Sequence, residues 1–236
     1  MRYAWIALVV LIVSCSRREP APLPAVTDYF PLQTRHYSIF LVDSTVITQN
    51  VSTTYHYQLQ TVLTDSFPNS EGGYTYVMQR SKRSDSTSAW TSMESWSLRA
   101  TPYEAVVNEG NVAYLKIVGP PGNGVAWNGN AYNVNGGTEK CPDADTFTCD
   151  IYEITGFMKA FTAGNGLSFQ NTMTVDQNDD EDLTQKDVRS EVYAKGVGLV
   201  SRQMNVLEYC TVNCTEDQFV DTGLIYTQTI IAYGGQ

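Results

Sequence analysis

Apolar and polar side chains alternate with a period of two along most of this chain. Between residues 53 and 66, Tyr55, Tyr57 and Leu59 fall on one side of an extended segment and His56, Gln58 and Gln60 on the other. That is the pattern of a strand with one wet face. Pro68-Asn69-Ser70-Glu71-Gly72-Gly73 then reads as a hairpin loop, Tyr74, Tyr76 and Met78 resume the alternation, and Lys82-Arg83-Ser84-Asp85 turns the chain again. With Tyr37 to Thr48, Trp90 to Leu98, Tyr103 to Val107 and Val112 to Val118, these make six strands, expected to form a meander. Thr148 to Phe157, Gly166 to Val175, Val188 to Val206 and Leu224 to Tyr233 supply more. Gly196 and Gly198, inside one of those runs, predict a bend or bulge where a sheet coils. Helical periodicity is scarce, and Gly156 to Ala163 is the one candidate. The expectation is a mainly β domain: a single large curved antiparallel sheet or partial barrel of about 9–11 strands, with at most one short helix.

Residues 119 to 147 interrupt the alternation with Gly119-Pro120-Pro121-Gly122-Asn123-Gly124, Trp127-Asn128-Gly129-Asn130 and Asn135-Gly136-Gly137. So long an irregular stretch inside a compact domain is uncommon and is usually functional or poorly ordered.

The amino terminus has a different texture. Tyr3 to Val13 is almost wholly apolar, follows Arg2, and is too short to span a bilayer, which takes about 18 residues or more. It reads as the hydrophobic region of a signal peptide. The run Leu11-Ile12-Val13-Ser14-Cys15 that closes it resembles the lipobox of bacterial lipoproteins. The resemblance implies diacylation of the Cys15 thiol, cleavage before Cys15, and a mature chain that begins with lipid. Two or three acyl chains anchor a protein firmly where one does so only marginally. Residues 1–14 are then the signal peptide and residues 15–28 a tether, in which Pro20, Pro22 and Pro24 favour extended chain. A single antiparallel β domain occupies residues 29–236. Ser16 is not the acidic residue that retains lipoproteins at the inner membrane, so an outer-membrane location is expected, on the periplasmic or surface face.

Composition excludes one class of partner. The formal charge is −10, and loss of Arg2 takes the mature chain to about −11, the wrong sign for tracking phosphates. Nucleic acid is not expected. Four cysteines follow the lipidated one: Cys141, Cys149, Cys210 and Cys214. An even number in an oxidising envelope points to disulfides, and three pairings are open. Cys141 with Cys149 and Cys210 with Cys214 is the favoured set, because each pair brackets a short polar loop. A zinc site of four thiolates is the alternative, but the spacings lack the paired C-x2-C knuckles.

Candidate chemistry is thin. His36 and His56 are the imidazoles, with no nucleophile elbow beside them, and read as ordinary surface histidines rather than members of a triad. Two carboxylates could form a glycosidase pair, yet nothing selects two acids from the 25 present. In the acidic run 176–182, Asp176, Asn178 and Asp180 alternate as in a calcium loop, with Asp187 at the twelfth position. Glu181 stands where that loop needs glycine, and the other reading is a solvated hairpin. No other cofactor is implied. Tyr55, Tyr57, Tyr74, Tyr76, Trp90 and Trp96 recur on adjacent strands and, on one face, would line a groove for a lipophilic ligand; more often such a stripe is core.

Tyr29-Phe30-Pro31-Leu32 after the tether and Tyr193-Ala194-Lys195-Gly196-Val197-Gly198-Leu199-Val200-Ser201-Arg202 near the end are similar to segments of an uncharacterised group of Bacteroidota envelope lipoproteins. That group has no established activity to carry over. The sequence therefore leads to a lipid-anchored envelope protein acting as a non-catalytic binding or structural module. A carrier or sensor of a lipophilic ligand, held in the concavity of the sheet, is the alternative. An envelope protein partner is the other class of ligand, and a carboxylate-based glycoside hydrolase is the third reading.

Overall fold

The computed structural model describes residues 22–133, 150–212, 214 and 219–235. One short helix, α1 (Val26–Tyr29), precedes twelve strands: β1 (Tyr37–Thr48), β2 (Val51–Pro68), β3 (Tyr74–Arg83), β4 (Thr91–Ala100), β5 (Glu104–Glu109), β6 (Val112–Val118), β7 (Ala126–Asn128), β8 (Ile151–Thr162), β9 (Ser168–Glu181), β10 (Gln185–Ala194), β11 (Gly198–Tyr209) and β12 (Val220–Gly234). They form one antiparallel sheet in the order β6-β5-β4-β3-β2-β1-β12-β11-β10-β9-β8-β7. The sheet curls until its ends nearly meet: Leu115 of β6 donates its backbone N–H to the Gly129 carbonyl at 2.8 Å, and Trp127 Nε1 donates to the Leu115 carbonyl at 2.7 Å. The result is an almost closed barrel, in which β6 and β7 are bridged rather than zipped.

Local chemistry sets the turns. Gln49 and Asn50 both take positive φ (50° and 61°) between the paired residues Thr48 and Val51, the geometry of a two-residue hairpin turn that matches strand twist. Gly196 and Gly198, at φ 75° and 97°, flank Val197 between β10 and β11. The run read as one strand from Val188 to Val206 is therefore a hairpin, and its two glycines are the reversal itself, not a bend within a strand. Residues 156–163 are likewise not helical: β8 runs through Thr162, and its register against β9 shifts three times. Those irregularities blur the period-two signal enough to mimic a helix. The split at Gly196 and the extra β7 bring the strands among the described residues to twelve.

One face of each strand fills the barrel. On β1 the buried positions include Phe40 and Val42, and on β2 Leu59 and Leu63, while His56, Gln58 and Gln60 face outward. One apolar cluster joins Leu63, Trp96, Leu98, Val107, Ile117, Trp127, Tyr152 and Tyr193; a second joins Phe40, Val42, Leu59, Phe169, Val200 and Ile230. Gly129 permits the seam beside β7, since a Cβ there would lie 2.3 Å from the Tyr152 ring.

The chain before β1 forms a strap over the barrel. Val26 donates to the Pro102 carbonyl at 3.0 Å, and the Asp28 carbonyl accepts from Gly196 at 2.7 Å. Val26, Tyr29 and Phe30 are buried in the first cluster, so the packed unit takes in the last residues of the proline-bearing segment.

A candidate binding cavity inside the barrel

Under the strap lies a cavity of about 100 Å³, bordered by apolar side chains including Phe30, Leu63, Leu98 and Val107, and by Arg80, Trp96, Glu109, Lys116 and Arg202. Its half-buried lining residues include Pro31, Leu32, His36 and Leu199, which places its opening beside the strap. Burying polar groups in such a wall costs free energy unless each finds a partner, and charges most of all. Most of the charges here do.

Glu109 ends β5 and Lys116 follows on β6; Glu191 comes from β10 and Arg202 from β11. Lys116 Nζ lies 2.8 Å from Glu109 Oε1 and 3.2 Å from Glu191 Oε1. Arg202 Nη2 reaches the same two oxygens at 2.9 and 2.5 Å. Two cations thus clamp two carboxylates, and the four charges cancel. Tyr193 completes the set by donating its hydroxyl proton to Glu191 Oε2. Burial alone would push both carboxyls up, but Arg202 and Lys116 outweigh it, holding Glu109 down to about 2 and Glu191 below the usual carboxylate range. Burial, reinforced by the Glu191 charge, raises the Tyr193 phenol well above its ordinary value, so it remains a donor.

Arg80 stands beside this clamp. Its Nη1 is ion-paired with Glu94, and its guanidinium lies over the Trp96 ring at 3.8 Å from the centroid. Arg202 approaches the same ring at 5.8 Å. Among the cavity-lining side chains, the buried polar atoms without a partner are Arg80 Nε, Trp96 Nε1 and Arg202 Nε. All three are donors. Each of these three nitrogens has less than 1 Å² of exposed surface, so they lie beneath the wall rather than on it.

His36 sits at the opening, its Nε2 at 3.1 Å from the Val197 carbonyl. Burial lowers its pKa, with the carbonyl contact pulling the other way. The neutral ring, protonated at Nε2, donates to that carbonyl and ties β1 to the β10–β11 turn.

The sequence-derived candidates are scattered by the fold. Of the six aromatics, Trp96 borders the cavity; Tyr57 and Tyr76 pack against the two apolar clusters. Tyr55 and Tyr74 are more than half exposed, and Trp90 stacks on Arg83 outside. Asp176, Asn178 and Asp180 lie along β9 rather than in a loop, and Asp187 on β10 is held by Arg189 at 2.6 Å. Among the described residues, no three His, Cys, Asp or Glu side chains gather in a way that could hold a metal ion. Cys210 and Cys214 are joined in a disulfide. Cys15, Cys141 and Cys149 lie outside the described residues. His56 is paired with Asp43 on the exposed face of the β1–β2 hairpin at 2.5 Å.

The ion clamp escaped the sequence reading because its members are far apart in the chain and each sits in an otherwise ordinary strand. One signal was available for two of the four: Lys116 lies between Tyr114 and Val118, and Arg202 between Val200 and Met204, on the apolar side of their strands, whereas Glu191 alternates with Asp187 and Arg189 and reads as outward.

No protein-family model and no curated protein matches the chain. Among solved structures it is similar to a protein of Bacteroides fragilis NCTC 9343, provisionally described as exported and as having a YmcC-like fold. The likeness covers 87% of this chain and 98% of that one, at 11% sequence identity and a TM-score of 0.46.

Proposed function

We propose that this protein is a non-catalytic binding protein, held at the outer membrane by acyl chains on Cys15, which takes its ligand into the cavity beneath the strap. The observation that carries the reading is the cavity itself, lined by apolar side chains, with a charge-balanced ion clamp in its wall and its opening beside the strap. A purely structural barrel gains nothing from a cavity among apolar side chains, whereas a ligand seated there gains contact with them.

The two carboxylates of the cavity wall do not make a glycosidase pair. A glycosidase needs one carboxyl kept protonated near neutral pH beside one kept ionised. Glu109 and Glu191 are both held low by the same two cations, which suits a rigid wall and leaves no proton to donate. The cavity volume of about 100 Å³ is well below the roughly 300–1,000 Å³ of sites that swallow a whole drug-sized molecule, so a small ligand, or one end of a longer one, fits best.

Native mass spectrometry of the protein extracted from envelope membranes tests both halves. The expected result is an acylated amino terminus at Cys15 and a noncovalent adduct released on unfolding. An unlipidated terminus elsewhere would overturn the anchor, and a preparation that stays adduct-free after incubation with membrane lipid extract would overturn the cavity's role.

A further inference from the structure

Resting on the reading of Cys15 as the membrane anchor, we infer that the strap end of the barrel lies against the lipid bilayer, with the aromatic side chains around the β4–β5 turn seated among the headgroups. The anchor sets which end makes that contact. The described chain begins at Pro22, and Val26 is tied to the Pro102 carbonyl of the β4–β5 turn. Cys15 lies seven residues before Pro22, a reach of about 25 Å at full extension. The far end of the barrel, with the β1–β2, β9–β10 and β11–β12 turns, is further off than that. β1 alone has 12 residues, about 40 Å along the strand and about 30 Å along the axis of a tilted barrel. An anchor that leaves from the strap therefore holds the strap end next to the membrane and the far end away from it.

Side chains and charge divide the two ends in the same sense. Among the described residues the exposed aromatics are Tyr55, Phe67, Tyr74, Tyr103, Tyr132 and Tyr233, and all but Tyr55 lie toward the strap end. Phe67 and Tyr74 flank the β2–β3 loop, which adjoins Thr101 and Pro102; Tyr103 belongs to the β4–β5 turn itself, and Tyr132 donates its hydroxyl to Glu104 just beyond it. Leu23, three residues before Val26, is exposed as well. Exposed aliphatic residues such as Val51 and Leu183 occur at the far end too, so it is the aromatics that distinguish the strap end. Tyrosine suits a membrane interface, where its ring meets the apolar boundary and its hydroxyl stays wet. In charge, Arg35, Arg99, Lys159 and Lys195 balance Asp28, Asp65, Glu71 and Glu104 at the strap end. The far end instead carries the run Asp179-Asp180-Glu181-Asp182, with Glu208 and Asp221 on nearby strands. Anionic headgroups repel such a concentration of acid and tolerate a balanced surface. In this orientation the cavity opens toward the bilayer, past Pro31, Leu32 and Leu199, and its ligand enters from lipid rather than from water.

The test uses the mature acylated protein in vesicles of phosphatidylethanolamine with a minority of phosphatidylglycerol, compared with the chain from Ser16 onward, which lacks the anchor. Mass spectrometry first reads the acyl chains on Cys15. Hydrogen exchange is then expected to slow on the vesicles in the β2–β3 and β4–β5 turns and to stay unchanged in the β1–β2 and β9–β10 turns. Tyr103→Trp is expected to add emission that is lost when brominated phosphatidylcholine is included in the vesicles, and Tyr55→Trp to add emission that is not. The exchange measurement on the unaltered chain stands even if a variant misfolds. Acylated protein that is protected at the far end or at neither end, or equal quenching of the two variants, would overturn this inference and leave the anchor standing. Slowing at the strap end in native envelope membranes but not in pure lipid vesicles would give the face to a protein partner and overturn it likewise. An unacylated Cys15 would overturn both the inference and the anchor.

Discussion

Replacing Lys116 with methionine removes one of the two cations that Glu109 and Glu191 share, while nearly conserving side-chain volume. Glu191 is fully buried and Lys116 almost so, so water cannot stand in for the lost ammonium. Breaking a buried pair by removing one partner costs about 3–5 kcal/mol, which in a chain of this size lowers the melting temperature by roughly 10 °C. The loss should depend on pH in a definite sense. Glu109 is held at about 2 against an ordinary 4.5, a depression worth about 3 kcal/mol of folding free energy. A carboxyl held low stabilises the fold above its unfolded pKa, and that contribution disappears as pH falls through the folded value. The penalty of Lys116→Met is therefore complete at pH 5 and above and shrinks between about pH 4.5 and 2, where the carboxyls no longer need a cation. Urea unfolding followed by circular dichroism at pH 7, 4 and 3 measures it. The double variant Lys116→Met with Glu191→Gln restores charge balance and should recover about half of the loss. A penalty below about 1 kcal/mol at pH 7, or one that does not shrink by pH 3, would refute the clamp as the source of this stability.

Other outcomes follow from single features. Gly129→Ala forces a Cβ into the Tyr152 ring and should cost about 3 kcal/mol or more, with hydrogen exchange accelerated first at Leu115, whose amide depends on that seam; unaltered exchange there would contradict the bridged closure. Opening the Cys210–Cys214 bridge by Cys210→Ser together with Cys214→Ser removes a very short loop constraint, so a loss of about 2 kcal/mol is the ceiling, read from paired melting curves. His36 has a lowered pKa because burial disfavours its charged form, so wild-type stability should begin to fall as pH drops below about 6.5, the unfolded value, and continue falling to the folded value; His36→Asn should flatten that slope, and an identical slope in both proteins would sink the assignment.

The sheet was legible because alternation is a local property: Tyr37 to Thr48 and Val112 to Val118 are strands with the limits that their side chains announce. Where the period was blurred, the sequence misled. The register slips of β8 against β9 made 156–163 look helical, and the apolar continuity of Tyr193 to Met204 hid a reversal that only the positive φ of Gly196 and Gly198 makes plain. β7 is three residues long, too short for any periodic signal. Of the candidate residues, Trp96 and His36 border the cavity. Its charged wall depends on which strands become neighbours around the barrel, and Glu109 and Glu191 are brought together by curvature, a property of the whole sheet rather than of any segment.

The pairing of β1 with both β2 and β12 has a kinetic consequence. Residues 37–118 can zip up hairpin by hairpin as they emerge, and residues 126–209 can do the same, because each half is a run of neighbours. The two halves are joined along their length only when the final strand inserts between β1 and β11, matching Tyr37 with Gly234. Until then both halves present bare backbone edges, the state most prone to pairing with other chains. A chain of this design keeps two half-sheets apart from their neighbours until residues 220–234 are in place, and a deletion that removes only those residues would leave two sticky ribbons in place of one barrel.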